Sequence, residues 1–302
     1  MVAGEESLER AIVAGAYRCD ERVVVISQFG QCGCRRGYRP HLRMSVSDAR
    51  VACSEVIGFL DELLKPQVYD DYGPNGLQIP GSDTITTLVS GVSANLELFE
   101  QARGAGAQLV LVHHGLIWGG PPQPLDRFAK ARLQVLFDAD IGLAAYHLPL
   151  DAHLEHGNNA LLAGALGAGA VEPFARLRGT PIGVRARFEA EGVDPEELVR
   201  RVAAATGREP LAFTDGPDRV RSIGIVSGGG ADHLEDAIAE GLDAFVTGEP
   251  AERSMALARE AGVHFLAAGH YATETFGVRR LGDLVARRFG IRHVYVDVPN
   301  PI

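Results

Sequence analysis

The stretch that most constrains the fold is LVLVHHG at residues 109–115. Four consecutive aliphatic residues predict a strand that is buried on both faces, as in a parallel sheet. Two histidines, His113 and His114, stand where that strand ends. Side chains on a straight strand point alternately to opposite faces, but Gly115 allows the chain to turn. The two imidazoles can therefore converge on one pocket, each can hold one of two neighbouring ions, or the pair is an ordinary surface feature of a strand end.

The rest of the chain alternates short apolar runs with amphipathic segments. This pattern predicts an α/β fold with mostly parallel sheets flanked by helices, and ligands bind such sheets at the carboxyl ends of the strands. Residues 70–78, which contain Gly-Pro and Asn-Gly dipeptides, are predicted to form a loop. Strands are predicted at 88–92, 109–112, 141–146, 182–188, 223–227, 244–247, 263–268 and 293–298, and helices at 48–64, 95–103, 127–137, 158–166, 194–206, 232–240, 251–261 and 273–289.

Two parts of this alternation resemble each other. The tripeptide VSG occurs at 89–91 and at 226–228. An Ala-Ala-x-His sequence with a carboxylate four residues on occurs as His147 with Asp151 and again as His270 with Glu274. Such a repeat predicts two similar lobes, about 44–170 and 221–302, with a small middle segment at about 171–220. Equivalent strand ends of the two lobes would then meet at one cleft.

Three imidazoles and two carboxylates form the candidate metal-ligand set: His113, His114, Asp151, His270 and Glu274. His270 and Glu274 share one face if a helix begins near residue 271. Five nitrogen and oxygen ligands are more than one catalytic zinc takes, but they suit two divalent ions with a bridging carboxylate. Zn, Mn, Fe, Ni and Co all fit the set, and an ion pair of this kind activates water near neutral pH. The alternative is a capping histidine among surface acids.

Three other features have open interpretations. His147 is a sixth ligand, a partner that orients the ligands, or a general acid/base. The run Gly228–Gly230 cradles a phosphate or is a plain tight turn. Trp118, the only tryptophan of the chain, stacks on a base or walls the cleft.

Composition narrows the class of protein. A net charge of -10 over 302 residues disfavours a general nucleic-acid binder, because phosphate contacts need a positive face. Four cysteines do not form a disulfide framework in a chain of this size, which favours a reducing cytoplasm. No apolar run approaches the roughly 20 residues that span a bilayer, and acidic rather than basic residues precede the apolar stretch at 22–30.

Residues 1–43 differ from the remainder because they carry no sustained periodicity. We predict a poorly ordered N-terminal extension there, with the working protein starting near Met44 and the domain spanning 44–302. Metal binding by Cys19, Cys32 and Cys34 is the alternative.

From about residue 46 onward the chain carries a set of motifs that together are highly specific. They are DYGPNGLQ at 71–78, VHHG at 112–115, HLPLD at 147–151, GNN at 157–159, FVTGE at 245–249, AGHYATE at 268–274 and DVPNP at 297–301. In this order they resemble the GTP cyclohydrolase 1 type 2 homologues, also called Nif-three-like dinuclear-metal proteins, in their short bacterial form. Residues 1–43 fall outside the resemblance.

The resemblance implies two similar α/β lobes, assembled as a toroidal homohexamer, a trimer of dimers, with dinuclear metal sites facing the internal cavity. The family's ligands correspond to His113, His114, Asp151, His270 and Glu274, the set chosen above on chemical grounds.

By this resemblance the first functional hypothesis is a GTP cyclohydrolase that opens the purine ring at C8, with a nucleotide as its small-molecule substrate. His147 or Glu249 would carry the proton. Hydrolysis of a phosphoester or an amide fits the same ligands. The second hypothesis is a non-catalytic ring that handles metal or acts as a scaffold for a partner.

Overall fold

The computed structural model describes residues 49–119 and 124–302. Its strands are β1 (Val51–Ala52), β2 (Gly76–Ile79), β3 (Thr84–Ile85), β4 (Thr87–Ser93), β5 (Leu109–His114), β6 (Gly142–Ala145), β7 (Val171–Leu177), β8 (Thr180–Arg187), β9 (Leu211–Thr214), β10 (Ser222–Val226), β11 (Ala244–Thr247), β12 (His264–Ala267) and β13 (Arg292–Tyr295). Its α-helices are α1 (Cys53–Leu64), α2 (Leu96–Gly104), α3 (Arg127–Asp138), α4 (Leu148–Ala152), α5 (Asn158–Ala165), α6 (Pro195–Thr206), α7 (Leu234–Ala239), α8 (Ser254–Ala261), α9 (His270–Thr273) and α10 (Thr275–Phe289).

The first sheet has five strands in the order β13-β4-β5-β6-β2. The three pairs among β13, β4, β5 and β6 are parallel, and β2 is antiparallel to β6. Leu109 and Leu111 of β5 pack with α1 and α10 on one face, whereas Val110 and Val112 pack with α2 and α3 on the other. The prediction of a strand that is buried on both faces is therefore confirmed for β5.

The second sheet has six strands in the order β7-β8-β10-β11-β12-β9. Only the β10–β11 and β11–β12 pairs are parallel; the other three are antiparallel. The prediction of mostly parallel sheets is thus wrong for this sheet, because strands from residues 171–214 add antiparallel pairs at both edges. Helices α5 and α6 cover one face, and α7 and α8 cover the other.

Sheet membership does not follow the predicted lobe boundaries. The segment 171–220 supplies three strands of the second sheet, and β13, at the end of the chain, lies beside β4 in the first sheet. The internal repeat with lobes at 44–170 and 221–302 stays a prediction.

Several local predictions need correction. Residues 76–79 form strand β2 rather than a loop, since they pair with β6. Helix α1 begins at Cys53 rather than at 48, after the short strand β1. The predicted helix at 273–289 is divided at Glu274, which ends α9 and precedes α10. Helix α4 was not predicted, although Pro149 stands in its first turn, where proline is favoured.

Residues 1–43, with the predicted extension and its three cysteines, lie outside the described residues. Among the described residues, Cys53 is a buried free cysteine. Within the same part of the chain, no helix combines the length and apolarity that crossing a membrane requires.

Candidate metal centre

The five predicted ligands come together between the two sheets, at strand ends and the helices that follow them. His113 and His114 end β5, and Asp151 lies in α4, which follows β6. His270 and Glu274 follow β12, the corresponding strand end of the second sheet. Parallel strands present their carboxyl ends at one edge of a sheet, so this topology brings side chains from distant segments to one place.

The donor atoms form two groups that share one carboxylate. The Nε2 atoms of His114 and His270 each lie 3.2 Å from Oε2 of Glu274, and they are 3.4 Å from each other. On the other side, Nε2 of His113 lies 3.5 Å from Oε1 of Glu274 and 3.5 Å from Oδ2 of Asp151. Glu274 therefore turns one oxygen toward each group.

These separations suit metal coordination. Nitrogen and oxygen ligands about 2.1 Å from one ion lie about 3.0–3.4 Å apart, depending on the coordination geometry. In addition, Nε2 of His113 and Oε2 of Glu274 are buried without a hydrogen-bond partner among the described residues. Leaving such an atom unpaired costs about 1–3 kcal/mol, more if it is charged. A divalent cation in each group would satisfy both atoms, so the residues fit the metal that the chemistry implies.

Each imidazole forms a hydrogen bond through Nδ1, on the side of the ring away from Glu274. The Nε2 atom of each ring therefore faces the shared carboxylate. The Nδ1 partners are the carbonyl oxygen of Tyr146 for His113 at 3.0 Å, the hydroxyl of Ser93 for His114 at 3.0 Å, and the carboxylate of Glu249 for His270. Contacts of this kind fix the orientation and tautomer of metal-binding histidines. Glu249 thus orients His270; its predicted part as a proton carrier stays a prediction.

Burial and the charges of neighbouring groups together set the pKa values of the cluster. Burial lowers the pKa of His113, but the carboxylates of Asp151 and Glu274 outweigh it and raise that pKa to about 9. Glu274 likewise raises the pKa of His270 to about 9 against the effect of burial. Burial and the neighbouring imidazoles lower the pKa of His114 to about 3. Burial would raise the pKa of Glu274, yet its contacts with His113 and His270 hold it below the ordinary range. Glu274 therefore stays ionised, the form that binds a cation.

Two buried asparagines hold Asp151. Asn158 Nδ2 donates to Oδ1 of Asp151 at 2.8 Å, as does the Ser227 hydroxyl at 3.0 Å, which leaves Oδ2 for the His113 side. Asn159 donates to the Asp151 carbonyl at 3.0 Å and accepts from the Ser227 backbone N–H at 2.7 Å. These bonds tie α4 to the end of β10, so the ligand is held by both sheets.

His147 lies beside the cluster and is held by residues of the segment that was predicted to be a loop at 70–78. Its Nδ1 donates to Oδ1 of Asp71 at 2.7 Å, and its backbone N–H donates to Asn75 at 2.7 Å. Burial would raise the pKa of Asp71, but the bond to His147 keeps it low. A His147 ring nitrogen lies within 4.8 Å of donor atoms of His113 and His114. The sequence analysis does not predict that Asp71 and Asn75 hold His147. The DYGPNGLQ motif, which contains both residues, is the signal that could have indicated it.

The Gly228–Gly230 turn also lies at the site. Gly228 has φ +61, and a Cβ there would overlap Oε1 of Glu274. The backbone N–H groups of Gly228 and Gly230 donate to the hydroxyls of Thr273 and Thr247, at 3.0 and 3.1 Å. These bonds favour the tight-turn interpretation over the phosphate cradle.

A cavity of about 540 Å³ opens onto the cluster. Its lining includes four of the candidate ligands, His114, Asp151, His270 and Glu274, together with Tyr72 and Trp118. Its volume lies within the roughly 300–1,000 Å³ range of small-molecule sites.

Comparisons with known proteins agree with the resemblance described above. A family model, Duf34/NIF3 (NGG1p interacting factor 3), matches residues 51–301. A relative from Pseudomonas aeruginosa, named GTP cyclohydrolase 1 type 2 homolog, is 42 % identical over 255 residues, which cover 83 % of this chain and 99 % of that protein.

Two solved structures have a similar fold and cover 83 % of this chain and 100 % of their own length. The first, described as protein ybgI of unknown function, is 37 % identical with a TM-score of 0.78. The second, TTHA1606 from Thermus thermophilus, is 36 % identical with a TM-score of 0.76. Because the family model matches residues 51–301, this chain belongs to the Duf34/NIF3 (NGG1p interacting factor 3) family.

Proposed function

We propose that the protein is a hydrolase that depends on two divalent metal ions and acts on a nucleotide. The observation that carries the proposal is the buried Glu274 carboxylate, which turns one oxygen toward each group of donors; its Oε2 lies near two imidazole nitrogens yet forms no hydrogen bond among the described residues. His114, His270 and Oε2 of Glu274 would hold one ion; His113, Asp151 and Oε1 would hold the other. Zn, Mn, Fe, Ni and Co suit such a mixed set. When bound, the ions supply Lewis-acid polarisation and an activated water near neutral pH.

The chain's own residues would position the substrate and move the proton. Because Nδ1 of His147 donates to Asp71, Nε2 is the nitrogen left to exchange a proton with a ligand in the cavity. Glu249 lines the cavity with its side chain 42 % exposed and can also carry a proton, while its bond to His270 keeps that ring in place. The name carried by relatives, GTP cyclohydrolase 1 type 2 homolog, supports GTP as the substrate to test first, with hydrolysis at purine C8.

Formate release from GTP tests the hydrolase proposal. We expect metal-loaded protein to release formate and the His114→Ala variant to lose activity by about 100-fold or more, because the change removes a nitrogen from one donor group. His153→Ala is the matched control: its ring stacks on His156, 5.0 Å away, and is not part of the cavity lining. Absence of turnover with every metal tried would exclude the GTP assignment.

We also propose a homohexamer, a trimer of dimers, in the cytoplasm, with no nucleic-acid partner. Leu125 and Phe137 are exposed and line one surface pocket along α3, and such an exposed apolar surface supports a subunit contact. We expect a mass in solution of about six times the chain mass of 32.2 kDa, measured by light scattering. A monomer at working concentration would contradict this assembly.

A non-catalytic, metal-handling ring remains the alternative, and a weakly held, exchangeable metal without turnover would favour it.

A further inference from the structure

Two aromatic rings stand exposed on the cavity wall. Tyr72 is 48 % exposed and Trp118 is 45 % exposed, although both line the cavity that contains the metal-ligand cluster. Large apolar side chains left open to solvent inside a concave site are a common mark of ligand contact, since a bound ligand covers them. The exposure of these rings therefore needs an explanation beyond the fold.

The loops that carry the two rings are fixed to each other. The backbone N–H of Gly119 donates to the carbonyl of Tyr72. Gln78 lies between the loops: its Oε1 accepts from the backbone N–H groups of Leu116 and Ile117 at 2.9 and 3.0 Å, and its Nε2 donates to the Pro74 carbonyl at 2.9 Å. The two loops are thus held together before any ligand arrives, which lowers the entropic cost of binding.

Both rings lie next to the reactive end of the cavity. The Trp118 ring meets His147 edge-on, with centroids 5.3 Å apart and an interplanar angle of 87°. It lies 6.1 Å from the ring of His114, and Tyr72 lies 6.0 Å from His147. A flat ligand stacked on Trp118 would therefore have its edge close to the metal-ligand cluster.

A cation adds to this wall. The guanidinium of Arg178 lies 5.3 Å from the centroid of the Tyr72 ring, and it donates to the Asp70 carbonyl at 3.2 Å. This contact covers one face of the Tyr72 ring, and Nη1 of Arg178 also forms an ion pair with Oδ1 of Asp70 at 3.2 Å. The paired guanidinium therefore supports the Tyr72 ring as a stacking surface.

We propose that Tyr72 and Trp118 form a stacking site for the purine ring of the substrate, so that ring recognition occurs on this wall and hydrolysis occurs at the metal-ligand cluster. The inference rests on the proposed function, because the purine is the ring of the nucleotide named there. Stacking of a base on an aromatic side chain corresponds to about 5-fold to 150-fold in affinity per ring.

Tryptophan fluorescence gives a direct binding test, because Trp118 is the only tryptophan of the full chain. We expect GTP and guanosine to quench the emission saturably, and ribose 5-phosphate, which has no ring to stack, to leave it unchanged. Calorimetry should then show guanosine binding about 10-fold or more weaker in Tyr72→Leu and in Trp118→Leu. Trp118→Phe and Tyr72→Phe keep a stacking face and should restore most of the affinity.

The control is Met255→Ala, which removes a large apolar side chain of similar exposure, 42 %, on α8 and outside the cavity lining. It should bind guanosine as the unmodified protein does. Equal affinity in Met255→Ala, Tyr72→Leu and Trp118→Leu would overturn the stacking site, as would failure of guanosine to bind at all. Ring-dependent quenching without formate release would exclude the GTP cyclohydrolase assignment and support the stacking site. Formate release with unchanged guanosine affinity in the leucine variants would support the hydrolase proposal and overturn the stacking site.

Discussion

Glu274→Gln is expected to leave the protein almost free of bound metal. The carboxylate is 2 % exposed and turns one oxygen toward each group of donors, so an amide in its place removes a negative ligand from both at once. Removing a residue that hydrogen-bonds to a metal ligand typically weakens metal affinity 10-fold to 100-fold. Removing a ligand that two ions share should therefore weaken metal affinity by more than about 100-fold. Competition with a chelator measures this affinity.

The matched control is Glu252→Gln, at an exposed glutamate outside the cavity lining. It makes the same chemical change and should leave metal affinity unchanged. A thermal melt of both metal-free variants separates loss of the site from loss of the fold. Metal affinity in Glu274→Gln equal to that in Glu252→Gln would contradict a shared, bridging carboxylate.

Gly228→Ala is expected to abolish metal binding without altering any ligand. The residue has φ +61, which costs an alanine roughly 1–2 kcal/mol, and the added Cβ would overlap Oε1 of Glu274 while lying 3.1 Å from Nε2 of His270. The carboxylate must then move away from the position in which it faces both groups of donors. Metal content per chain, measured after dialysis, should fall close to that of Glu274→Gln.

Gly229→Ala, one residue along the same turn, provides the control. A Cβ at Gly229 would meet only the edge of His270, at 4.0 Å, and its φ is not in the left-handed region. This variant should retain wild-type metal content. If both alanine variants keep their metal, the close approach of Gly228 to Glu274 has no part in the site.

The candidate ligands could be predicted from the sequence because they follow features with strong local signals. His113 and His114 come after four aliphatic residues, and β5 is indeed buried on both faces. The four-residue spacing of His270 and Glu274 predicted a shared face, and their side chains lie 3.2 Å apart even though the helix is divided at Glu274. The alternation of strands and helices predicted a parallel sheet, whose strand ends bring ligands from distant segments of the sequence to one edge.

What the sequence did not reveal depends on tertiary packing. Strand β7 contains Glu172 and Pro173 and lacks a clear apolar alternation, so its antiparallel pairing with β8 had no local signal. Asp71 binds His147 across 76 positions of sequence, and nothing local marks that contact. The two oxygens of Glu274 face different groups of donors only when both sheets have folded. The need for glycine at position 228 likewise arises only in the folded protein.

We propose that five side chains hold two divalent ions, with Glu274 shared between them. Anomalous scattering from crystals grown with the metal found in the purified protein would locate these ions. We expect two peaks per chain, one beside His114 and His270 and the other beside His113 and Asp151. A single peak, peaks elsewhere, or crystals that stay free of metal under every condition would contradict it.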